Sequence, residues 1–256
     1  MKGYPAGIAE LLAELREGIS GILGERLLGL YLYGSLVNGG FEPELSDIDL
    51  LAVLPSPLEE REFERLREMH AGFARRHPAW DDRIEVLYME REGLRTFREE
   101  RSPITVISPG EPLNTKDAGI DWLMNWYLVR EQGQTLFGPP PGEFIGPVSL
   151  REFQESVRDY AFEWREWSHR LERRGAQAYA VLTACRALFT WAEGRQPSKE
   201  DAARWVARKH VQWAAFLSEV LEWRRTMWTE DPDPTITQEA TETFVRWAAE
   251  ELARYS

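Results

Sequence analysis

Cysteine and histidine are scarce in this chain of 256 residues. Cys185 is the only cysteine, so no disulfide can form within the chain. The four histidines are scattered through the sequence, at positions His70, His77, His169 and His210. Structural and catalytic zinc sites are built mainly from clustered cysteine and histidine, and a site of that kind is therefore not expected.

Long apolar runs and an excess of positive charge are also missing. No apolar stretch approaches the roughly 18 residues that span a bilayer, so we expect no membrane partner. Residues 1–19 have the spacing of an amphipathic helix and lack the form of an export signal, which together with the single cysteine predicts a cytoplasmic location.

The charge balance is strongly acidic, with a formal net charge of −12 and a sequence pI of about 5.0. A nucleic-acid partner requires a basic surface that neutralises phosphates, so none is expected. Clustered acids raise the local concentration of cations, which favours a cationic small-molecule substrate. Solubility alone would also account for the acidity.

The periodicity of apolar residues divides the chain into two parts. Apolar runs predict strands over 27–35, 47–54 and 83–89, and helical spacing predicts helices over 6–19 and 58–76. Residues 137–147 are too rich in proline and glycine for either element. Beyond this break helical spacing prevails, with helices predicted over 150–171, 178–192, 199–209, 211–228 and 236–254. We therefore predict an α+β fold, with an α/β domain around a small mixed sheet in residues 1–145 and an α-helical bundle in residues 146–256.

The chemistry of the chain is expected in the segment from Tyr33 to Leu50. Gly34 and Ser35 follow the first predicted strand, where a tight turn can direct backbone N–H groups and a hydroxyl at phosphate oxygens. Asp47 and Asp49 are two residues apart on the second predicted strand, so their carboxylates share a face. Such a pair of hard oxygen ligands suits Mg²⁺ that holds a substrate triphosphate.

This order of strand, Gly-Ser, eleven residues, then Asp-Ile-Asp resembles the DNA polymerase β-like nucleotidyltransferase superfamily. The resemblance implies a third carboxylate on a nearby strand, and Glu85 fits because Ile84 and Val86 beside it would face the core. The alternative is a glutamate that only faces water. The acids at 81 and 82 compete with Glu85, but they precede the strand and are less well placed.

A closer resemblance covers most of the chain. The segment from Leu32 to Leu54, the strand that begins Arg83-Ile84-Glu85-Val86, and the segments 181–186 and 194–203 are similar to the aminoglycoside (3'')(9)-adenylyltransferases. Members of that family transfer AMP from ATP to streptomycin and spectinomycin, with an active site between a nucleotidyltransferase domain and a helical substrate-binding and nucleotide-binding domain. The resemblance thus implies ATP as co-substrate and Mg²⁺ as cofactor.

The same resemblance assigns roles to individual residues. Gly34 and Ser35 would bind phosphate, and Asp47 and Asp49 would hold magnesium. Glu85 would be the general base that deprotonates the acceptor hydroxyl, with a place as third metal ligand left open.

Arg186 and Lys199 would reach the nucleotide from the helical domain. Ser198 to Asp201 also has the pattern of a capping box, which places Lys199 in the first turn of a helix. A cation there opposes the helix dipole, so a triphosphate or simple solvation must favour it.

Aromatic residues of the second half are the candidates for acceptor binding. Eight of the eleven tryptophans follow residue 160, and most of them must belong to the core. The resemblance assigns streptomycin contacts to Trp167 and Glu172, with Trp126 as a third wall. Glu172 stands where the family is expected to have aspartate. Two alternatives remain, a nucleotidyltransferase of the same superfamily with another acceptor such as a protein hydroxyl, and a nucleotide-binding protein without catalysis.

Overall fold

In the computed structural model the described residues are 4–227, 230 and 232–254. Trp228, the last residue predicted in the helix over 211–228, lies outside them, as do residues 1–3 and 255–256 of the two predicted domains. The chain forms two compact units, Met1–Val148 and Ser149–Ser256. No helix in the described part of the chain is long and apolar enough to cross a membrane.

The first unit is built around a mixed sheet of six strands in the order β5-β4-β3-β2-β1-β6. β2 and β3 run parallel, and the other neighbouring pairs are antiparallel. The strands are β1 (Gly29–Tyr33), β2 (Ile48–Leu54), β3 (Ile84–Glu90), β4 (Ser102–Ser108), β5 (Glu111–Ala118) and β6 (Gln134–Phe137). The central strands β1 to β3 are those that the sequence predicts, and each lies within one or two residues of its expected range.

Among the described residues of the first unit, five α-helices accompany the sheet. They are α1 (Ile8–Leu23), α2 (Ser35–Asn38), α3 (Glu60–Arg76), α4 (Arg91–Thr96) and α5 (Leu123–Gln132). α1 and α3 cover one face, where alternate strand residues such as Leu32, Leu50 and Val86 join a buried cluster with Leu15 and Phe73. α5 contacts the other face, because Asn125 donates a hydrogen bond of 3.4 Å to the Tyr33 hydroxyl. Residues that alternate with this core therefore point to the α5 side.

The second unit consists of helices among the described residues. They are α6 (Leu150–Trp167), α7 (Arg174–Glu193), α8 (Lys199–Lys209), α9 (Ala214–Thr226) and α10 (Thr235–Ala253). Ser149 and Glu152 form a reciprocal capping box that fixes the start of α6. Central α7 has eleven buried residues on several sides of the helix, consistent with a position inside a bundle.

Two regions differ from the sequence prediction. α6 ends at Trp167 and is followed by a 3₁₀ turn, Ser168–Arg170, so the predicted helix over 150–171 is too long. Residues 91–133, to which the sequence assigns no element, contain α4, β4, β5 and α5, and β6 follows them and ends at Phe137, the first residue of the predicted break over 137–147. β5 is an edge strand in which only Leu113 and Ala118 are buried, so it lacks the apolar alternation that marks a strand in a sequence.

Candidate active site

Three polar side chains form a row across the centre of the sheet. Tyr33 on β1 is the register partner of Asp49 on β2, and Asp49 is the register partner of Glu85 on β3. Partners on neighbouring strands project to the same face, so the three side chains lie side by side. This face is opposite the one that Leu50 and Val86 bury. The row brings together Asp49 and Glu85, which the sequence predicts as site residues.

A short hydrogen bond orients Glu85 within the row. The Tyr33 hydroxyl donates to Glu85 Oε1 at 2.7 Å, and one oxygen of the carboxyl is thereby engaged. The pKa of Glu85 is raised to about 7, mainly by burial and also by the negative charge of Asp47, while the hydrogen bond from Tyr33 opposes the increase. A carboxyl with a pKa near neutrality is suited to accept a proton at physiological pH.

Gly34 links the row to the turn that follows β1. Its φ of 71° and ψ of −147° lie in a region that only glycine occupies readily. A Cβ atom at this position would stand 1.9 Å from Asp49 Oδ2, so the turn can approach the carboxylate only because the side chain is absent. The next residue, Ser35, begins α2, and its buried Oγ has no hydrogen-bond partner among the described residues. The predicted single helical turn closed by glycine is confirmed, with Gly39 at φ 83° after Asn38.

Asp47 immediately precedes β2, which begins at Ile48. Its charge raises the pKa of Glu85, so the two carboxylates lie near each other. The loop before Asp47 is bound by Arg83, whose Nε donates to the Ser46 carbonyl at 3.1 Å and whose Nη2 donates to the Pro43 carbonyl at 2.7 Å. Burial lowers the pKa of Arg83, and the carboxylates of Asp47 and Glu44 oppose that effect.

The oxygen atoms of this site are ligands of the type that a hard cation prefers. Within the described residues, no group of three or more His, Cys, Asp and Glu side chains is arranged to hold a metal ion by itself. Asp47 and Asp49 provide carboxylate oxygens, and one oxygen of Glu85 accepts from Tyr33. These donors fit Mg²⁺, which binds through one or two carboxylates and completes its shell with substrate phosphates and water.

The predicted nucleotide residues of the second unit lie on α7 and at the start of α8. Ser198 caps α8, since its hydroxyl oxygen accepts from the Asp201 N–H at 3.0 Å, and Lys199 is the first residue of the helix. Lys199 Nζ lies 5.1 Å from the ring centre of Tyr179. Tyr179 and Arg186 are seven residues apart on α7, so they share one face of that helix. Arg186 and Lys199 are thus on neighbouring surfaces of the second unit.

The three predicted acceptor residues have different environments. Trp167 is 56% exposed, and the Arg170 guanidinium lies 5.6 Å from its ring centre. Glu172 is exposed in the segment between the 3₁₀ turn and α7. Trp126 is fully buried and stacks on Trp122. Its burial gives no support to the role predicted for Trp126, which stays a prediction.

Comparison with protein families accounts for both units. Residues 12–104 match the model of the nucleotidyltransferase domain, and residues 143–251 match the model of the aminoglycoside adenylyltransferase C-terminal domain. Together the two matches indicate an aminoglycoside adenylyltransferase. The chain is a nucleotidyltransferase, and the resemblance inferred from its sequence is confirmed.

Individual members of the family are similar to this adenylyltransferase along most of its length. Aminoglycoside (3'') (9) adenylyltransferase of Escherichia coli is 26% identical over 97% of both chains. Spectinomycin 9-adenylyltransferase of Staphylococcus aureus is 25% identical, with 75% of this chain and 77% of the relative aligned. The crystal structure of spectinomycin adenyltransferase AAD(9) from Enterococcus faecialis, solved with ATP and spectinomycin, matches 96% of this chain and 99% of its own at a TM-score of 0.72 and 17% identity. The predicted fold class is thereby confirmed.

Some residues of this adenylyltransferase site have no role in the sequence prediction. In the sequence, Tyr33 is only the last aromatic residue before Gly-Ser. Its hydrogen bond to Glu85 depends on the pairing of β1 with β2 and of β2 with β3. Lys116 on β5 forms an ion pair of 2.8 Å with Glu111, and the charge of Lys116 lowers the pKa of Glu85. No local pattern indicates these contacts, since β5 is polar and at the edge of the sheet.

Proposed function

We propose that this enzyme transfers AMP from ATP to a hydroxyl group of an aminoglycoside-type antibiotic, streptomycin or spectinomycin or both, with Mg²⁺ as cofactor and pyrophosphate as the second product. The observation that carries the proposal is the row of Tyr33, Asp49 and Glu85, with Asp47 beside it. The two family matches support the same reaction class. Drug resistance would be the consequence of such a modification.

The metal is assigned to Asp47 and Asp49. When bound, Mg²⁺ would neutralise charge on the triphosphate and withdraw electron density from the phosphorus that is attacked. The unpartnered Ser35 hydroxyl is placed in the turn after β1, where it can donate to a phosphate oxygen. Gly34 allows that turn to lie against the Asp49 carboxylate.

Glu85 is assigned as the general base. The acceptor hydroxyl oxygen forms a bond to the α-phosphorus, the bond from that phosphorus to the bridging oxygen of the β-phosphate breaks, and pyrophosphate leaves with the bonding electrons. The hydroxyl proton passes to Glu85, whose oxygen Oε2 is not engaged by Tyr33. A positioned base of this kind contributes roughly 10²–10⁴-fold to the rate.

The second unit is assigned to nucleotide and acceptor binding. Arg186 and Lys199 supply cationic groups for phosphate, and the capping of α8 by Ser198 fixes the backbone that carries Lys199. Trp167 and Glu172 are exposed and offer an aromatic face and a carboxylate to a cationic acceptor. The formal net charge of −12 favours a substrate of that sign.

The experiment is incubation of the purified protein with radiolabelled ATP, Mg²⁺ and a panel of aminoglycosides, followed by mass spectrometry. We expect a mass increase of one AMP on streptomycin or spectinomycin, dependent on the metal. Label on a protein instead of a drug would identify the alternative acceptor class, and no label on any acceptor would refute catalysis.

The matched variants are Asp47→Asn, Asp49→Asn and Asp81→Asn. The first two should abolish nearly all transfer, because they remove one carboxylate each from the metal site. Asp81 is exposed and precedes β3, so its variant should retain wild-type activity. Unchanged turnover of Asp49→Asn at saturating Mg²⁺ would contradict the assignment.

A further inference from the structure

The segment that delivers Asp47 to the site has no regular secondary structure. We call residues 39–47, between α2 and β2, the Asp47 loop. Its internal bonds are local, such as the Ser46 N–H to the Glu42 carbonyl at 2.8 Å and the Glu42 N–H to Ser46 Oγ at 3.0 Å. Local bonds of this kind define turns but do not attach the loop to the sheet. The attachment must come from outside the loop.

Arg83 supplies that attachment. Its guanidinium donates to the carbonyl oxygens of Pro43 and Ser46 in the loop, and Nη1 donates to the Ala79 carbonyl at 3.2 Å. The backbone carbonyl of Arg83 also accepts from the Ile48 N–H at 3.0 Å. Asp47 is therefore bracketed, since Arg83 binds the residue before it through the side chain and the residue after it through the main chain.

Aromatic rings hold the guanidinium in this position. The Arg83 guanidinium carbon lies 4.4 Å from the ring centre of Trp80, and the Trp80 ring stacks on Phe41 of the loop at 6.4 Å and 10°. A planar guanidinium stacks flat on an indole while its five N–H donors point in fixed directions, whereas an ammonium group has no planar face and only three rotatable donors. Arginine is thus the side chain that this arrangement requires.

We infer that Arg83 is a positioning residue for the metal site, which holds the Asp47 loop in the geometry that Asp47 needs to bind the divalent cation. The inference rests on the proposed function, because it takes Asp47 as a metal ligand. Without the Arg83 contacts the loop keeps the packing of Phe41 against the core, and the cation itself must order the part of the loop around Ser46 and Asp47. The affinity for the cation therefore falls, while the chemistry at saturation persists.

Arg26 provides a matched control at the other end of β2. Its guanidinium donates to the carbonyl oxygens of Ser56 at 3.3 Å and Pro57 at 2.8 Å and to Glu59 Oε1 at 2.9 Å, in the loop that follows the strand. Arg26→Ala therefore removes a comparable set of carbonyl contacts from a loop beside β2. This loop follows the strand, at the end that carries no site residue.

The experiment measures binding of Mn²⁺ with α,β-methylene-ATP, an analogue that is not cleaved at the reacting bond, by calorimetry and electron paramagnetic resonance. We expect Arg83→Ala to weaken Mn²⁺ binding roughly tenfold, and Arg83→Lys, which keeps the charge with fewer directed donors, by less. Arg26→Ala should bind Mn²⁺ like the wild type, although both alanine variants should lower the melting temperature. In turnover, Arg83→Ala should need more Mg²⁺ for half-saturation and approach the wild-type kcat at high Mg²⁺.

Two results would overturn the inference, namely wild-type Mn²⁺ affinity in Arg83→Ala, or equal losses in Arg83→Ala and Arg26→Ala. If Arg83→Ala does not fold, Arg83→Lys provides the same comparison. Asp47→Asn separates this failure from failure of the proposed function. A wild-type protein that does not bind the Mn²⁺ complex, or binds it as well after Asp47→Asn, would refute Asp47 as a ligand. A loss with Asp47→Asn but none with the Arg83 variants would refute only the positioning role.

Discussion

Replacing Gly34 with alanine tests the geometry at the centre of the site. The backbone there has φ 71° and ψ −147°, a region that is essentially restricted to glycine. Forcing alanine into it costs about 1–3 kcal/mol. We therefore expect Gly34→Ala to lower the free energy of unfolding by at least that amount.

The same substitution also collides with a site residue. The added Cβ would lie 1.9 Å from Asp49 Oδ2 and 2.6 Å from Asp49 Cγ, so the carboxylate must move or the turn must open. A displacement of about 1 Å at a reacting centre costs about 10²-fold in rate. AMP transfer should accordingly fall by about 10²-fold or more, beyond the loss expected from the unfolded fraction.

Gly39 is the control for backbone strain without collision. It ends α2 at φ 83° and ψ 9°, in the left-handed helical region, and a Cβ there would meet no atom within 4 Å. Gly39→Ala should cost about 1–2 kcal/mol of stability and leave transfer by the folded protein nearly unchanged. Urea unfolding and AMP transfer at a temperature where both variants are folded make the comparison. Equal activities in Gly34→Ala and Gly39→Ala would refute the argument that Gly34 serves Asp49.

Three further predictions concern the assigned roles. In the metal-free folded protein the pKa of Glu85 is raised from its ordinary value of 4.5 to about 7. The free energy of unfolding of the wild type therefore falls as the pH rises through this range. Glu85→Gln should therefore be more stable than the wild type at pH 8 and no more stable at pH 4.5, as measured by urea unfolding in a chelator; equal stabilities at pH 8 would contradict this. Arg186→Gln and Lys199→Gln should each weaken ATP binding by about 1.5–3 kcal/mol in calorimetry, and unchanged affinity in both would show that the nucleotide does not contact them. Trp167→Ala and Glu172→Ala should reduce kcat/KM for streptomycin far more than for spectinomycin, whereas equal losses would rule out a role in selectivity.

The parts of the site that the sequence predicts are those with a local signal. β1 and β2 are apolar runs, and the Gly-Ser turn and the Asp-Ile-Asp pair stand at their ends, so spacing alone indicates where the polar groups lie. For Glu85 the superfamily resemblance implies a third carboxylate, the alternation of Ile84, Glu85 and Val86 selects the residue, and the register of β2 and β3 places it beside Asp49.

The parts that the sequence does not predict depend on contacts between distant segments. Tyr33 meets Glu85 because two strands pair in one register, and Arg83 meets Pro43 because a loop folds back over the start of β3. The family resemblance assigns Trp126 to the acceptor site, but α5 places its side chain in the interior. Burial and pairing of this kind arise only from the tertiary fold, and an aromatic side chain in isolation gives no indication of which side it will face.

The position of Asp49 is determined largely by residues that take no part in the chemistry. Leu50 and Ala52 are fully buried on the opposite face of β2, so a shift of one residue would turn Asp49 into that apolar core. The apolar core thus fixes the register that aligns Asp49 with Tyr33 and Glu85. The core does not determine the conformation of the turn after β1 or of the loop before β2, because both lie beyond the ends of the strands. Gly34 and Arg83 act at those two places, and this is why the sharpest tests of the site lie at residues that need not touch a substrate.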